Sequence, residues 1–443
     1  METTDWIGEV YTSTFGWNVL EDLAESGPRL GASAGERRAH DRVKRAFRQA
    51  GLREIEEHTF EMPGWQRESA AIELERPDEL DLDCIALPGS PADIVTGEFV
   101  YLDYGLPENF EAADLEGKIA VVRSDVPEWY DHWMHRREKY GLAKRHGAAG
   151  FVFANHVPGC LPPTGSLGGG LDVIGAIPAV GVSREVGARI ERRAQRGEVR
   201  GRLVVDAAID EAATSQNIHG VVGPESDTEL LVCAHVDGHD ISQAAIDNGA
   251  GVAVMCDVAR ALADNAWMLD QRVRFVGFGA EELGLVGSQH FTADRDLSTV
   301  DIAINLDGIG QGRNLLVHDN LFDGLRPIVD RLNAEFRHSV ECLREYVVHS
   351  DHWPFVWKGI PGAMVSAASG NKGRGFAHTF ADTLEKVDVR ALRDHAVLAS
   401  RFVSLLSSPD VEIARRSPED VRDDLRERHY EDRLRLAGDW PFD

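Results

Sequence analysis

Residues 230–237 read LLVCAHVD, a short apolar run that ends in a histidine and an aspartate. Such a run is typical of a buried strand. Beyond it the chain alternates between apolar runs and longer segments with helical spacing. We expect strands in LLVCAH, RVRFVGFGA, DIAINLD and IPGAMVSA, and helices in GVAVMCDVARALADN, FDGLRPIVDRLNAEF and VRALRDHAVLASRFVSLL. The alternation predicts an α/β fold with a mostly parallel central sheet flanked by helices.

The middle of the chain has a different character. Between about residues 80 and 205, GEFVYLDYG, GKIAVVRSD, AAGFVFAN and IPAVGVS are short apolar runs separated by glycine and proline turns. They predict a β-rich inserted domain, and REIEEHTFEM and ESAAIELER before it predict a hairpin. We therefore expect four parts: a first part of the main domain at 1–79, the inserted domain at 80–205, the main domain at 206–410 and a charged helical tail at 411–443.

Composition narrows the classes of protein that need to be considered. The net charge of −27 argues against a nucleic-acid partner, because binding phosphates needs clustered lysine and arginine. With only seven lysines, the acidic chain suits a salt-rich cytoplasm and favours a halophilic protein. The alternative is an ordinary acidic protein with a GC-rich codon bias. No apolar run is long enough to span a membrane, and no signal peptide is visible, so we expect a cytoplasmic location. The five scattered cysteines predict reduced thiols.

Histidines and carboxylates occur where the predicted strands end or in the loops between elements. The set consists of His235, Asp247, Glu282, Asp307 and His378. Carboxyl ends of parallel strands share one edge of a sheet, where ligands bind. Two imidazoles and three carboxylates can hold two divalent metals if Asp247 bridges them. Glu281, next to Glu282, is then left to act as a base.

A family resemblance accompanies these residues. The blocks AHVD, IDNGAGVA, FGAEELGLVGS, NLDGIG, SDHWPF, GIPG and AHTFADTLEKVD occur in this order between about residues 215 and 410. They resemble the zinc exopeptidase family of the bacterial leucyl aminopeptidases and glutamate carboxypeptidases, metallopeptidase family twenty-eight. LEGKIAVVRSD, KYGLAKRHGAAGFVFAN and IPAVGVSREVG resemble a protease-associated domain. The resemblance implies a metallopeptidase with two Zn²⁺.

The resemblance also implies a role for each residue of the set. It places one zinc on His235 and Asp307 and the other on Glu282 and His378, with Asp247 bridging them. Glu281 corresponds to the general base. Asp237 corresponds to a carboxylate beyond the ligands, which would accept the N–H of His235 and fix its tautomer.

The chain departs from the family pattern at three places. Val236 stands where the family often has an aromatic residue. Many aminopeptidases stabilise the oxyanion with a tyrosine, either just before the last histidine or shortly before the SDH block. Here Ala377 precedes His378, and Tyr346 lies one residue from the second spacing. Tyr346 and His349 are therefore candidates for this role, unless the metals fulfil it alone.

The preferred function is hydrolysis of N-terminal residues from peptides, because a free amino group suits an acidic site. A carboxypeptidase or dipeptidase of the same fold stays open, since Arg313, Lys372 and Arg374 could bind a terminal carboxylate. A non-catalytic binding protein and a glutaminyl cyclase are less favoured alternatives. The expected partner is a peptide substrate, without nucleic acid or membrane, and a homo-oligomer stays open.

Overall fold

The computed structural model describes residues 4–368 and 375–442, and the chain divides into two compact units. The first unit comprises Met1–Glu61, Thr214–Asn371 and Asp382–Asp424. The second comprises Met62–Ala213, Lys372–Ala381 and Leu425–Asp443. Within the described residues, no helix combines the length and the apolar character that crossing a membrane requires.

The strands are numbered in chain order. They are β1 (Arg53–Arg76), β2 (Leu80–Leu82), β3 (Ile85–Ala86), β4 (Asp93–Tyr101), β5 (Ile119–Arg123), β6 (Gly150–Ala154), β7 (Ala179–Val182), β8 (Arg200–Val222), β9 (Glu229–His235), β10 (Arg272–Phe278), β11 (Val300–Leu306), β12 (Leu315–His318), β13 (Glu341–Leu343) and β14 (Gly362–Ala367). Strands β1 and β8 each contribute residues to both units.

The helices are numbered in the same way. They are α1 (Asp5–Thr12), α2 (Phe15–Ala24), α3 (Ala34–Gln49), α4 (Pro107–Glu111), α5 (Arg136–Arg145), α6 (Arg184–Ala194), α7 (Ala250–Asp264), α8 (Val286–Asp294), α9 (Leu325–Phe336), α10 (Trp353–Val356), α11 (Val389–Leu406), α12 (Pro418–Glu427) and α13 (Tyr430–Ala437). Shorter helical turns occupy Ala245–Gly249, Ala266–Met268, Glu281–Leu283 and Leu384–Lys386.

The sheet of the first unit has the order β13-β12-β14-β11-β9-β10-β8. Strand β9 is parallel to β10 and β11, and β11 is parallel to β14. Every residue of β9 is buried, which requires cover on both faces. Helix α7 packs against β9, while Phe291 of α8 and Phe355 of α10 join an apolar cluster with Leu231 and Phe278. The predicted mostly parallel sheet flanked by helices is confirmed.

The second unit has a smaller sheet in which β4, β5, β6 and β7 are parallel neighbours. Antiparallel partners stand at its sides: β8 pairs with β4, and β3 pairs with β7. Its core contains Phe110, Tyr140 and Phe151. The short apolar runs that predicted a β-rich insertion form these strands.

The second unit also contains a buried cation. Lys139 lies on α5 with no exposed surface, and burial lowers the pKa of its ammonium group to about 7. Its Nζ donates to the carbonyl oxygens of Tyr104, Arg123 and Asp125 at 2.7, 2.8 and 2.7 Å. An ammonium group has three donors, so each one has an acceptor.

The hairpin predicted for residues 53–76 is wrong, because these residues form the single strand β1. Pro63 and Gly64 indicated a turn between two strands. Both residues also fit extended backbone, since proline removes only one donor from a ladder and glycine adopts any strand conformation. Strand β1 pairs with β2 through residues 72–74 and also with β8.

Candidate metal centre

The ends of three parallel strands place the candidate side chains. His235 is the last residue of β9, and Asp307 directly follows β11. Glu281 and Glu282 begin the helical turn that follows β10. Since β9 lies between β10 and β11, these three ends share one edge of the sheet. Asp247 reaches the same group from the turn that leads into α7.

His235 lies at the centre of the group. Its Nε2 is 3.2 Å from Asp247 Oδ1 and 3.8 Å from Asp307 Oδ1. The ligand atoms of these three residues all lie within 4.8 Å of one another, and so do those of His235, Glu281 and Glu282. Because zinc bonds to nitrogen and oxygen are about 2.0–2.2 Å long, donor atoms around one ion are separated by distances of this order.

The surroundings of His235 decide which ring nitrogen can bind a cation. Nδ1 lies 3.2 Å from the main-chain oxygen of Asp237 and 3.5 Å from its Oδ1. A carbonyl oxygen can only accept, so Nδ1 carries the proton. The lone pair therefore belongs to Nε2, which faces Asp247 and Asp307.

Asp237 joins two of the strand ends. Its carboxylate is fully buried and accepts the main-chain N–H groups of Glu281 and Glu282 at 3.0 and 3.1 Å. One residue thus holds both the ring of His235 and the backbone of the two glutamates. The sequence predicted only the first of these contacts.

Burial and neighbouring carboxylates together determine the electrostatics of this group. Burial raises the pKa of Glu281 well above its usual range, and the neighbouring carboxylates of Glu282 and Asp307 add to this effect. Burial lowers the pKa of His235, but Glu281 and hydrogen bonds to nearby aspartates outweigh it, so this pKa lies well above its usual value. Both shifts mean that the group binds positive charge strongly.

His239 also belongs to this region, although the sequence did not single it out as a ligand. Its Nε2 lies 2.9 Å from Glu282 Oε2, and both side chains are buried. His239 stands two residues after Asp237 in a loop of no regular structure. No helical or strand spacing could therefore predict the direction of its side chain.

His378 belongs to the second unit, where it is buried and adopts a left-handed backbone with φ of 59°. Its Nδ1 is 3.1 Å from the carbonyl oxygen of Thr164, whose N–H donates to the His378 carbonyl at 2.8 Å. Nδ1 is again the protonated nitrogen. As in His235, Nε2 is therefore the nitrogen with a lone pair.

The remaining candidates have other neighbours. The Tyr346 hydroxyl donates to Asp424 Oδ2 at 2.7 Å, so its proton is engaged there. His349 is half-buried in the bend before Ser350. Arg313 is exposed and donates to Asp394 at 2.6 Å. Lys372 and Arg374 lie outside the described residues.

The donor set of the first unit fits divalent metal ions. Neutral imidazole nitrogen and carboxylate oxygen are the ligands that zinc accepts, and several buried carboxylates converge on one imidazole. Contacts with Asp237 orient the ring of His235. In metal sites, the ring N–H of a histidine ligand typically has such a carbonyl or carboxylate partner.

Known proteins are similar to this chain in sequence. Residues 217–403 match peptidase family M28, and residues 95–190 match the PA domain. Aminopeptidase YwaD of Bacillus subtilis (strain 168) is 26% identical over 401 residues, which span 87% of this chain and 83% of that protein. A probable leucine aminopeptidase 2 of Aspergillus fumigatus is 25% identical over 385 residues, 82% of this chain and 74% of that protein.

Solved structures share the fold. A peptidase M28 precursor from Shewanella amazonensis has a TM-score of 0.78 at 24% identity, covering 93% of this chain and 97% of that chain. BSAP, a zinc aminopeptidase from Bacillus subtilis, has a TM-score of 0.69 at 25% identity, covering 90% and 95%. Fold, site and relatives together define a metallopeptidase of the exopeptidase type. Residues 217–403, which include the metal-site candidates, are thus similar to peptidase family M28, and residues 95–190 are similar to a PA domain.

Proposed function

We propose that this protein is a dinuclear zinc aminopeptidase. The observation that carries the proposal is the convergence of His235, Asp247 and Asp307, together with Glu281 and Glu282, at one edge of the sheet. Relatives that are named aminopeptidases, one of them a zinc enzyme, support the metal and the reaction.

We assign two zinc ions to five ligands. His235 and Asp307 would hold one ion, Glu282 and His378 the other, and Asp247 would bridge them. The proposal rests on the number and type of donors, because one catalytic zinc needs only about three protein ligands. It rests also on the tautomers of His235 and His378, whose hydrogen bonds leave Nε2 as the ligand nitrogen in both.

Zinc bound there would polarise the scissile carbonyl and lower the pKa of a water molecule. Glu281 would accept the proton of the attacking water and return it to the leaving amine. A positioned glutamate is among the side chains that act as general bases, and burial raises the pKa of Glu281 above its usual range. Asp237 would hold Glu281 in place through its main-chain N–H.

Preference for N-terminal residues follows from charge. The free α-amino group of a peptide is cationic, and the carboxylates around His235 would attract it. A carboxypeptidase would instead need cationic groups for a terminal carboxylate. Arg313, one candidate for that task, is paired with Asp394.

The test compares substrates with free and blocked amino groups. Zinc-reconstituted protein should hydrolyse aminoacyl substrates, while N-acetylated forms of the same substrates should be cleaved far more slowly. Faster cleavage of N-blocked peptides with a free carboxylate would contradict the aminopeptidase assignment. Including high and low salt also tests the predicted halophilic character. A cytoplasmic location stays a prediction.

A further inference from the structure

Two alanines with unusual backbone conformations precede the site residues. Ala244 has φ of 47° and Ala280 has φ of 53°, both in the left-handed region that residues with a side chain avoid. Ala244 comes three residues before Asp247, and Ala280 directly precedes Glu281. Such conformations persist only where the surrounding structure holds them.

One N-terminal segment contacts both alanines. Arg29 is buried and donates from Nη2 to the carbonyl of Ala244 at 2.6 Å, from Nε to that of Val236 at 3.0 Å, and from Nη1 to that of Gln243. The carbonyl of Arg29 in turn accepts the N–H of Gly238 at 3.1 Å. The loop between β9 and α7, which carries Asp237 and Asp247, is thus held along its length.

Seven residues further on, Glu36 holds the second alanine. Its buried Oε1 accepts the N–H of Ala280 at 2.9 Å and the hydroxyl of Ser215 at 2.8 Å, and its Oε2 accepts the N–H of Ala32 at 2.6 Å. A Cβ at Gly31 would lie 2.7 Å from that of Ala280, so only glycine allows this close packing.

We propose that Arg29 and Glu36 are positioning residues that hold the two ligand-bearing loops in their metal-binding conformation. Each residue acts through main-chain contacts and neither is a ligand. The inference rests on the proposed function only in treating His235, Asp247 and Glu282 as metal ligands.

The test measures the zinc dissociation constant of the full-length protein by competition with a chelator. Arg29→Lys keeps the positive charge, but a single ammonium nitrogen replaces the three guanidinium nitrogens that contact the carbonyls of Val236, Gln243 and Ala244. We expect zinc binding to weaken by about 10–100-fold, which is the usual effect of losing a residue that orients metal ligands without binding the metal itself. Arg29→Met should also weaken binding. Tighter binding in Arg29→Met would show that Arg29 acts only as a repulsive charge and would overturn the proposal.

Arg38→Lys is the matched control. Arg38 donates from Nε and Nη2 to the Ser26 carbonyl at 2.9 and 2.7 Å, and these contacts involve neither ligand loop. Its zinc affinity should stay within about twofold of wild type. Thermal unfolding of the metal-free variants separates the two roles, because a purely structural contact lowers stability and leaves zinc affinity unchanged. Unchanged affinity in folded Arg29→Lys would therefore overturn the proposal.

If Arg29→Lys does not fold, Glu36→Ala decides by the same measurement. This substitution removes both carboxylate oxygens, so the N–H of Ala280 loses its acceptor. We expect about tenfold weaker zinc binding, and wild-type affinity would contradict the role of this segment. A wild-type protein that binds zinc but cleaves no peptide would refute the proposed function and leave this comparison valid.

Discussion

Both units bury charge, but they treat it differently. In the second unit, the ammonium group of Lys139 donates to three carbonyls, and the fold satisfies it without help. In the first unit, several carboxylates gather around His235 and Arg29. Burial and the carboxylates near Glu281 raise the pKa of that residue. Burying like charges together is costly unless cations compensate for them. The contrast indicates that the contacts of Lys139 are structural and that the carboxylates around His235 exist to bind metal.

The largest expected effect comes from Glu281→Gln. The side chain keeps its size and is not a proposed ligand, so the variant should retain metal and lose proton transfer. We expect kcat to fall by about 10²–10⁴-fold, measured on zinc-saturated protein. Glu385→Gln, an exposed glutamate of the same unit, is the control. More than about a tenth of wild-type kcat in Glu281→Gln would refute its role as the base.

Asp247 and Asp237 form a matched pair for the next comparison. Asp237→Asn removes a residue that orients others and should weaken metal binding or activity by about 10–100-fold. Asp247→Asn removes the proposed bridge between two ions, so its loss of zinc affinity should be larger. Equal affinities of Asp247→Asn and wild type, measured by chelator competition, would rule out the bridge.

Removing metal should destabilise the protein. A ligand that binds only the folded state at 100 to 1,000 times its dissociation constant adds about 2.7–4.1 kcal/mol to the free energy of unfolding. We therefore expect chelation to lower Tm and added zinc to restore it. A Tm that does not respond to zinc would mean that the acidic group is stable without cations.

Lys139→Met tests the other side of the contrast. It leaves the carbonyls of Tyr104, Arg123 and Asp125 without this donor, and a buried acceptor without a partner costs about 1–3 kcal/mol. We expect a loss of that order in the free energy of unfolding, with zinc stoichiometry unchanged. Lys144→Met, an exposed position on the same helix, should cost little. Loss of zinc in Lys139→Met would refute the claim that the role of Lys139 is purely structural.

Local patterns predicted the elements of the fold well. Helices α7, α9 and α11 and strands β9, β10 and β11 occur where apolar spacing indicated them. The hairpin was wrong because Pro63 and Gly64 are compatible with both a turn and an extended strand. Only pairing with other strands distinguishes these outcomes, and pairing depends on residues far away in the sequence.

The site was predictable only in part for the same reason. Strand ends and residue types indicated His235, Glu281, Glu282 and Asp307. The contact between His239 and Glu282 spans 43 positions of sequence and arises from loop conformation. The hydrogen bonds from Arg29 join residues that are more than 200 positions apart in the sequence. Their acceptors are main-chain oxygens, which every residue has, so residue type could not indicate them.

The number of metal ions per chain tests the central claim most directly. Purified protein should be reconstituted with excess zinc, freed of loosely bound metal and analysed for zinc per mole of chain. The account predicts saturation at two ions per chain, and His378→Ala should lower this number. Saturation of the wild-type protein at one ion would contradict the claim that these carboxylates and histidines form a dinuclear site.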